Sequence, residues 1–345
     1  MSPTLGTLDE LPQDYRDALT NAGVMPLWPA MRNVLPHDAP IPVSQSSHWA
    51  YDAIRPLLMM AGDLTPVEKA ERRVLVLSDP GRGAGSMQVT ASIYLGLQLL
   101  LPGETAPAHV HTPSAVRIIV EGTGGYTVVD GEKLPMEEGD LVLTPGGEWH
   151  DHGHEGSEPV VWLDALDLPV FYYLEGSYAK EGPLQKPSNR PDTSQLEYQS
   201  AGLAPPRTRA ARTRPYPMMR YPWSRTEAAL RNMAEYAGDE PIELDYVNPE
   251  TGQDVLPTLG FTALMLKTGQ TYAPHLRSSS GAIHIVKGRG KASINGKATD
   301  WNAKDALSIP VFADITIEAE EETFFILVHD RPLQEKLAYY EERAR

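Results

Sequence analysis

The sequence of 345 residues contains no cysteine and only 5 phenylalanines. The absence of cysteine excludes disulfides, thiolate metal sites, iron–sulfur clusters and a cysteine nucleophile. Positive charge is also scarce, because 30 Lys and Arg stand against 46 Asp and Glu, for a formal net charge of −16. This negative balance argues against binding to nucleic acid or to an anionic membrane, which requires clustered positive charge.

Long apolar runs are missing as well. The longest fall far short of a membrane span, and residues 1–12 are polar and acidic. They have neither the cationic start nor the apolar stretch of a signal peptide. The sequence therefore predicts a cytoplasmic protein with no membrane partner and no nucleic-acid partner.

The sequence contains an internal duplication. In residues 102–111 and again in residues 268–277, a Gly precedes a His with five residues between them. Residues 139–145 and 304–310 also match, each with Asp in the second position and Pro at the end. Both copies consist of short apolar runs separated by turn residues, which is typical of antiparallel strands. The duplication predicts a mainly β protein with two copies of one small barrel.

Histidines supply the best candidates for a metal site. His109 and His111 are two residues apart, so a strand would present both imidazoles on one face. The spacing Gly-(x5)-His-x-His that ends at His111, and Gly-(x5)-Pro-x-Gly-(x2)-His that ends at His150, together form the signature of the cupin barrel. We therefore predict that His109, His111 and His150 bind one divalent metal ion.

The remaining stretches frame the two barrels. We predict helices at Leu8–Ala22 and at Ser224–Tyr236, with Ser224 as the cap of the second. Residues 207–214 form a basic patch, which could indicate polyanion binding, but the acidic remainder of the chain favours a solvated or subunit-contacting linker. The complete prediction is a duplicated cupin (double-stranded β-helix, jelly-roll-like) in five segments: an N-terminal arm with helices at 1–80, a metal-binding cupin barrel at 81–175, a linker and helix at 176–240, a second cupin barrel lacking metal ligands at 241–331, and a C-terminal helix at 332–345.

The ligand set narrows the chemistry of the site. Cupin sites commonly add a Glu shortly after the His-x-His pair, but residues 112–116 hold no carboxylate. Three His leave metal positions open without an anionic ligand, which suits a substrate that brings its own negative charge and chelates the metal. Sites of this kind hold Fe(II) and activate oxygen, although three His also suit a catalytic Zn(II).

The second copy has lost this arrangement. His275 persists, but Arg277 stands in place of the second His and Ile315 in place of His150. A lone His beside an Arg is a poor metal site. We expect the second barrel to be structural or to help form an oligomer.

Several motifs of the first copy carry a resemblance to a known family. They are residues 97–99 with 102–104, 114–122, 149–153, 162–164 and 166–169. On these motifs the chain resembles the bicupin ring-cleaving dioxygenases, which include gentisate 1,2-dioxygenase, salicylate 1,2-dioxygenase and 1-hydroxy-2-naphthoate dioxygenase.

The resemblance implies an Fe(II)-dependent dioxygenase of a 2-hydroxybenzoate. Fe(II) on the three His would bind the substrate carboxylate and the neighbouring hydroxyl, and both atoms of O2 would enter the product as the ring opens between the carbons that carry those groups. Gentisate is the first substrate expected. A substituted salicylate such as 5-nitrosalicylate, salicylate itself and 1-hydroxy-2-naphthoate are alternatives. The resemblance also implies a homotetramer.

Cationic side chains are the candidates for binding the substrate carboxylate. Arg117 lies in an apolar run, and a guanidinium binds a carboxylate through two hydrogen bonds. Arg73, or instead Arg72 or Lys69, could reach the site from the N-terminal arm. The alternatives are a surface ion pair for Arg117 and an exposed helix face for the others.

Other polar residues are predicted to line the cavity. Gln98 and Tyr94 share one face of a strand whose other face is apolar, so Gln98 could bind substrate or oxygen and Tyr94 could line the ring pocket. We predict that His152 supports the ligands or relays a proton. We expect Asp164 to orient a ligand His or His152 by accepting a hydrogen bond. The alternatives are solvent exposure for Gln98 and capping for Asp164.

A few positions depart from the family pattern. They are Tyr94, Val110, residues 146–148 and His154. They leave every ligand in place but reshape the pocket, so they bear on the substrate more than on the reaction. Two other functions stay open: a metal-dependent cupin isomerase or hydrolase, and a non-catalytic cupin that binds a small molecule.

Overall fold

The computed structural model describes residues 6–83, 85–183, 192–200, 202–206 and 215–345. The basic patch predicted at 207–214 lies outside the described residues. The chain divides into two compact units, Met1–Val43 and Ser44–Arg345. Among the described residues, no helix combines the length and the apolar character needed to span a membrane.

The first unit contains short helices. They are a 3-10 turn at Leu8–Glu10, α1 at Gln13–Asn21 and α2 at Met31–Val34. The single helix predicted at Leu8–Ala22 is wrong, because the chain is extended at Leu11. Pro12 follows, and a residue before proline is disfavoured in the helical conformation.

The second unit contains most of the regular structure. Its helices are α3 at Tyr51–Leu64, α4 at Val67–Ala70, α5 at Leu168–Tyr173, α6 at Thr193–Glu197, α7 at Trp223–Ala234 and α8 at Arg331–Lys336, with a 3-10 turn at Pro80–Arg82. Its strands are β1 at His48–Trp49, β2 at Arg73–Val76, β3 at Tyr94–Leu100, β4 at Thr105–His111, β5 at Ala115–Glu121, β6 at Gly125–Val129, β7 at Glu132–Pro135, β8 at Leu141–Thr144, β9 at His150–His154, β10 at Val160–Leu166, β11 at Ala179–Glu181, β12 at Arg220–Tyr221, β13 at Ile242–Asp245, β14 at Gly260–Leu266, β15 at Thr271–Tyr272, β16 at Leu276–Arg277, β17 at Gly281–Lys287, β18 at Arg289–Ile294, β19 at Lys297–Asn302, β20 at Ala306–Ile309, β21 at Ile315–Ala319, β22 at Thr323–His329 and β23 at Glu342–Arg343.

These strands form two barrels of the same design, which confirms the predicted duplicated cupin. The first barrel combines a six-stranded sheet, β12-β8-β5-β10-β3-β2, with a five-stranded sheet, β11-β4-β9-β6-β7. The second combines a six-stranded sheet, β1-β20-β17-β22-β14-β13, with a four-stranded sheet, β15-β21-β18-β19. Strands from the predicted arm and linker therefore lie at the edges of the six-stranded sheets.

The central strands of both six-stranded sheets are buried on both faces. Alternate residues of β3, such as Leu95, Leu97 and Leu99, share one apolar cluster with Phe261 and Phe324 of the second barrel. This cluster joins the outer faces of the two sheets. The inner faces look into the barrels, so these strands have long apolar runs instead of a simple alternation. Polar residues on an inner face are therefore exceptions that need a partner.

Two predicted helices differ from the structure at their ends. α7 begins at Trp223, and its first N–H donates to Asp140 of the first barrel at 2.8 Å, so Ser224 is not the cap. The helix predicted at 332–345 ends at Lys336, and Glu342–Arg343 form a strand that pairs with β16. Ala338 has φ +58°, and a left-handed residue at this position ends a helix.

Candidate active site

Four histidines meet inside the first barrel on two neighbouring strands. β4 carries His109 and His111, and β9 carries His150 and His152. The strands pair antiparallel with His109 opposite His150, and alternation along each strand places its two imidazoles on one face. The ring centroids are 4.0 Å apart for His109 and His150, 4.7 Å for His111 and His150, and 5.4 Å for His109 and His111.

Three of these rings share one hydrogen-bond pattern. In each, Nδ1 donates to a backbone carbonyl two residues away: His109 to Pro107 at 2.9 Å, His111 to Pro113 at 2.6 Å, and His150 to Glu148 at 3.0 Å. A carbonyl can only accept, so each ring carries its proton on Nδ1 and a lone pair on Nε2. Nε2 of His150 is buried without a hydrogen-bond partner. Buried polar atoms rarely stay unpaired, so this atom is suited to a metal ion.

His152 has a different arrangement. Its Nε2 lies 3.0 Å from Nη2 of Arg117, and its Nδ1 lies 2.9 Å from the hydroxyl of Thr127. A guanidinium can only donate, so the Nε2 lone pair of His152 is already in use. Ring nitrogens of His109, His150 and His152 lie within 4.8 Å of one another. Proximity thus groups His152 with two of the rings, whereas the hydrogen bonds favour His111 as the third ligand.

Burial keeps the imidazoles neutral. It lowers the pKa of His109 to about 3, with the charge of Arg72 as the next cause. It lowers the pKa of His111 to about 4, and it holds the pKa of both His150 and His152 far below the usual range. A neutral imidazole is the form that binds a metal ion. The donor set therefore fits a divalent cation near neutral pH.

A buried ion pair lies next to the histidines. Arg117 is 3 % exposed and its Nε is 3.4 Å from Oδ1 of Asp164, directly across from it on β10. The guanidinium also donates to the hydroxyl of Thr144 and to His152. Burial lowers the pKa of Arg117 to about 10 and raises the pKa of Asp164. Arg117 is therefore an interior residue and not half of a surface ion pair.

Gln98 and Tyr94 lie on the inner face of β3. Gln98 is 2 % exposed, and its Nε2 is buried without a hydrogen-bond partner. The Tyr94 ring lies over Gly96. A Cβ added to Gly96 would be only 2.6 Å from the Tyr94 hydroxyl. Burial raises the pKa of Tyr94, and Asp164 raises it further. Gln98 is therefore buried and Tyr94 partly buried on the inner face of β3.

The chain is similar to several proteins of known fold and activity. A family model described as a cupin domain matches residues 96–166. A gentisate 1,2-dioxygenase from a Ralstonia species is 48% identical over 347 residues, which cover 99% of this chain and 97% of that protein. A 5-aminosalicylate 1,2-dioxygenase from a Comamonas species is 35% identical and covers 86% of this chain and 80% of that protein.

This chain belongs to the bicupin ring-cleaving dioxygenases. A solved structure of salicylate 1,2-dioxygenase from Pseudoaminobacter salicylatoxidans with gentisate also matches, with a TM-score of 0.90 and 27% identity, and covers 100% of this chain and 96% of that chain. The family predicted from the sequence is confirmed, and the protein is an aromatic-ring-cleaving dioxygenase.

Arg73 is the first residue of β2 in this dioxygenase, and Arg72 directly precedes it. The two side chains interact with different groups. The Arg73 guanidinium pairs with Glu104 and donates to the carbonyl of Gly62 at 3.3 Å. Arg73 pairs with Leu99 in the sheet, so its side chain shares the outer face that α3 covers. The charge of Arg72, in contrast, lowers the pKa of His109 and His111. Arg72 is therefore the one of these two arginines whose charge reaches the histidines, and Lys69 is exposed.

The structure also adds residues that the sequence analysis missed. The hydroxyls of Thr127 and Thr144 hold His152 and Arg117 in the dioxygenase. A polar residue within each apolar run, at 126–129 and 141–144, was the available signal. Asp164 was expected to accept from a histidine, but it accepts from Nε1 of Trp162 at 3.1 Å and pairs with Arg117. It therefore supports His152 only through Arg117.

Proposed function

We propose that the dioxygenase uses Fe(II) and cleaves gentisate, a 2-hydroxybenzoate, between the carbon that bears the carboxylate and the carbon that bears the neighbouring hydroxyl. Both atoms of O2 enter the product. The observation that carries the proposal is the shared hydrogen-bond pattern of three neutral imidazoles, each with its proton on Nδ1, together with the unpaired Nε2 of His150. The similarity of nearly the whole chain to the Ralstonia gentisate 1,2-dioxygenase supports the choice of substrate.

His109, His111 and His150 would hold the iron through Nε2. Three neutral donors leave the full charge of the cation to be balanced by the substrate, which favours a ligand with a carboxylate beside a hydroxyl. Fe(II) with open positions would bring this ligand and O2 together and pass electron density between them. The protein's own part is to keep the three rings neutral, and burial already does so.

The substrate carboxylate needs a cation of the protein as well. The guanidinium of Arg117 is already bonded to Thr144, His152 and Asp164, so its charge is largely compensated. The charge of Arg72 also acts on His109 and on Asp164. We assign the first contact with the carboxylate to Arg72, with Arg117 as the second positive charge behind it.

Polar groups of the pocket would orient the ring. Nε2 of Gln98 is a buried donor without a hydrogen-bond partner on the inner face of β3, so it can donate to a substrate oxygen or to O2. Tyr94 is neutral, and its ring over Gly96 forms a wall for the aromatic substrate. Thr127 and Arg117 fix His152 with its proton on Nδ1. His152 thereby separates the buried ion pair from the metal ligands.

Oxygen uptake by Fe(II)-loaded protein tests this function. The substrates to compare are gentisate, salicylate, 5-nitrosalicylate, 5-chlorosalicylate, 1-hydroxy-2-naphthoate and catechol, with Zn(II)-loaded protein as a control for the metal. We expect uptake with gentisate above the other 2-hydroxybenzoates, none with catechol, and none with Zn(II). If the protein at full iron occupancy takes up no oxygen with any of these substrates, the proposal is overturned and a cupin isomerase or hydrolase is favoured.

A homotetramer in the cytoplasm completes the proposal. The resemblance to the family supports the assembly. Light scattering of the purified protein tests the first point. A single species at the mass of one chain would overturn it.

A further inference from the structure

A buried aspartate at the end of the first barrel joins it to the second half of the chain. Asp167 directly follows β10 and is 1 % exposed. Its Oδ1 accepts from the backbone N–H of Ser114 at 2.7 Å, and its Oδ2 accepts from the hydroxyl of Thr258 at 2.5 Å. Thr258 lies two residues before β14. The carboxylate therefore links a loop of the first barrel to the chain that enters the second barrel.

The peptide bond held by Asp167 also holds a candidate metal ligand. The N–H of Ser114 and the carbonyl of Pro113 belong to one planar peptide unit, in which they point in opposite directions. That carbonyl accepts from Nδ1 of His111 at 2.6 Å. Fixing the N–H end of the unit thus fixes the direction of the carbonyl at the other end. The hydroxyl of Ser114 further anchors the loop by accepting from the N–H of Gly146 at 3.1 Å.

The contact has an electronic consequence too. A carboxylate that accepts from one end of an amide polarises the amide, and the carbonyl oxygen becomes a stronger acceptor. A strong acceptor at the outer nitrogen of a ligand histidine orients the ring and raises the basicity of the nitrogen that binds the metal. Asp167 acts on His111 in this way through one peptide unit.

We propose that Asp167 and Thr258 are positioning residues of the metal centre, through which the second half of the chain holds the His111 ring in place. The inference rests on the proposed role of His111 as an iron ligand. It gives the second barrel a part in the chemistry of the first, although its own metal ligands are replaced.

The chain contains a matched control for this arrangement. Asp330 directly follows β22, and it accepts from the N–H of Ser280 at 2.8 Å and from the hydroxyl of Ser92 at 2.5 Å. Ser92 lies two residues before β3, so this second contact is the mirror of the first. The residue that corresponds to His111 is Arg277, which is not a metal ligand. The second contact joins the two halves without ending at the metal centre.

The experiment compares Thr258→Val with Ser92→Ala. The readouts are the dissociation constant for Fe(II), measured without oxygen by competition with a chelator, and the Tm of the metal-free protein. We expect both variants to lower Tm, whereas only Thr258→Val weakens Fe(II) binding, by about 10-fold, the lower end for outer partners of metal ligands. Thr258→Ser keeps the hydroxyl, so its affinity for Fe(II) should stay within about 2-fold of that of the wild type.

A second pair of variants keeps the shape of the contact. In Asp167→Asn and Asp330→Asn an amide oxygen can still accept from the backbone, but the negative charge is lost. We expect weaker Fe(II) binding for Asp167→Asn alone. Equal Fe(II) affinity for the variants of both contacts would overturn the inference and leave them as structural contacts. A wild-type protein that binds no Fe(II), or a His111→Ala variant that binds it equally well, would instead overturn the proposed metal centre.

Discussion

The two barrels have the same strand pairing but opposite interiors. Arg117 lies opposite Asp164 in the first barrel, and Ile283 lies opposite Leu327 at the same place in the second. The first barrel places polar residues at four inner positions where the second has apolar ones: Gln98, Arg117, His152 and Asp164 correspond to Leu264, Ile283, Ile317 and Leu327. The four apolar residues belong to one buried cluster.

This difference shows how the same fold can hold either a polar site or an apolar core. An apolar interior gains free energy from burial, whereas each buried charge or imidazole loses hydration that only a partner can replace. In the first barrel the network around Arg117 meets this requirement for Arg117, His152 and Asp164. The second barrel fills the same space with apolar side chains, so we interpret it as the more stable support. Four predictions test the comparison, from the largest expected effect to the smallest.

His109 and His275 occupy the same position in the two copies, and we expect only His109 to be needed for turnover. His109→Ala should lower turnover by more than about 100-fold, the upper end for loss of an outer partner of a ligand, because a ligand itself is lost. His275→Ala, the same change in the second barrel, should leave turnover within about 2-fold. Oxygen uptake and iron content check both variants. Equal losses would show that the second barrel holds part of the site.

Installing second-barrel residues in the first should separate stability from function. Arg117→Ile leaves Asp164 buried and unpaired, so we expect unfolding free energy to fall by about 3–5 kcal/mol. Adding Asp164→Leu should recover much of this loss, although the N–H of Trp162 then lacks its acceptor. Both variants should be inactive. Urea denaturation of the metal-free proteins measures the effect, and a double variant no more stable than the single one would contradict it.

Truncation inside the second barrel should affect stability alone. Ile317 is 1 % exposed, and Ile317→Ala should lower the free energy of unfolding by about 2–5 kcal/mol through the cavity it leaves. Fe(II) affinity should stay unchanged because the side chain lies far along the chain from every candidate ligand and in the other barrel. A fall in affinity beyond about 10-fold would show that the two interiors are coupled.

The aspartate between the barrels should make stability depend on pH. Burial raises the pKa of Asp167 from 3.8 to about 6, against the hydrogen bonds from Thr258 and Ser114. Its contribution to stability is thus fully present below about pH 4 and is lost as the pH rises through about 6. Asp167→Asn cannot ionise, so its stability relative to the wild type should rise by up to about 3 kcal/mol over this range. Denaturation of metal-free protein at several pH values measures the difference, and a constant difference would contradict the prediction.

Much of the fold was predictable because its signals are local. The predicted antiparallel strands between turn residues are present, and β10 at Val160–Leu166 is one of them, since turn residues precede it and a helix start follows. Helix ends were less predictable. The start of α7 depends on Asp140, which is distant in the sequence, and the end of α8 depends on the left-handed conformation of Ala338.

The sequence by itself determined the duplicated cupin fold, the family and the three candidate ligands, because the spacing of Gly, Pro and His follows from strand and turn geometry within each copy. Only the tertiary structure decided what Arg73 and Arg117 bind. Arg72 and Arg73 are adjacent, and the packing of α3 against β2 selects their directions. The contact from Thr258 through Asp167 to His111 likewise joins residues that are far apart in the chain, and only the docking of the two barrels brings them together.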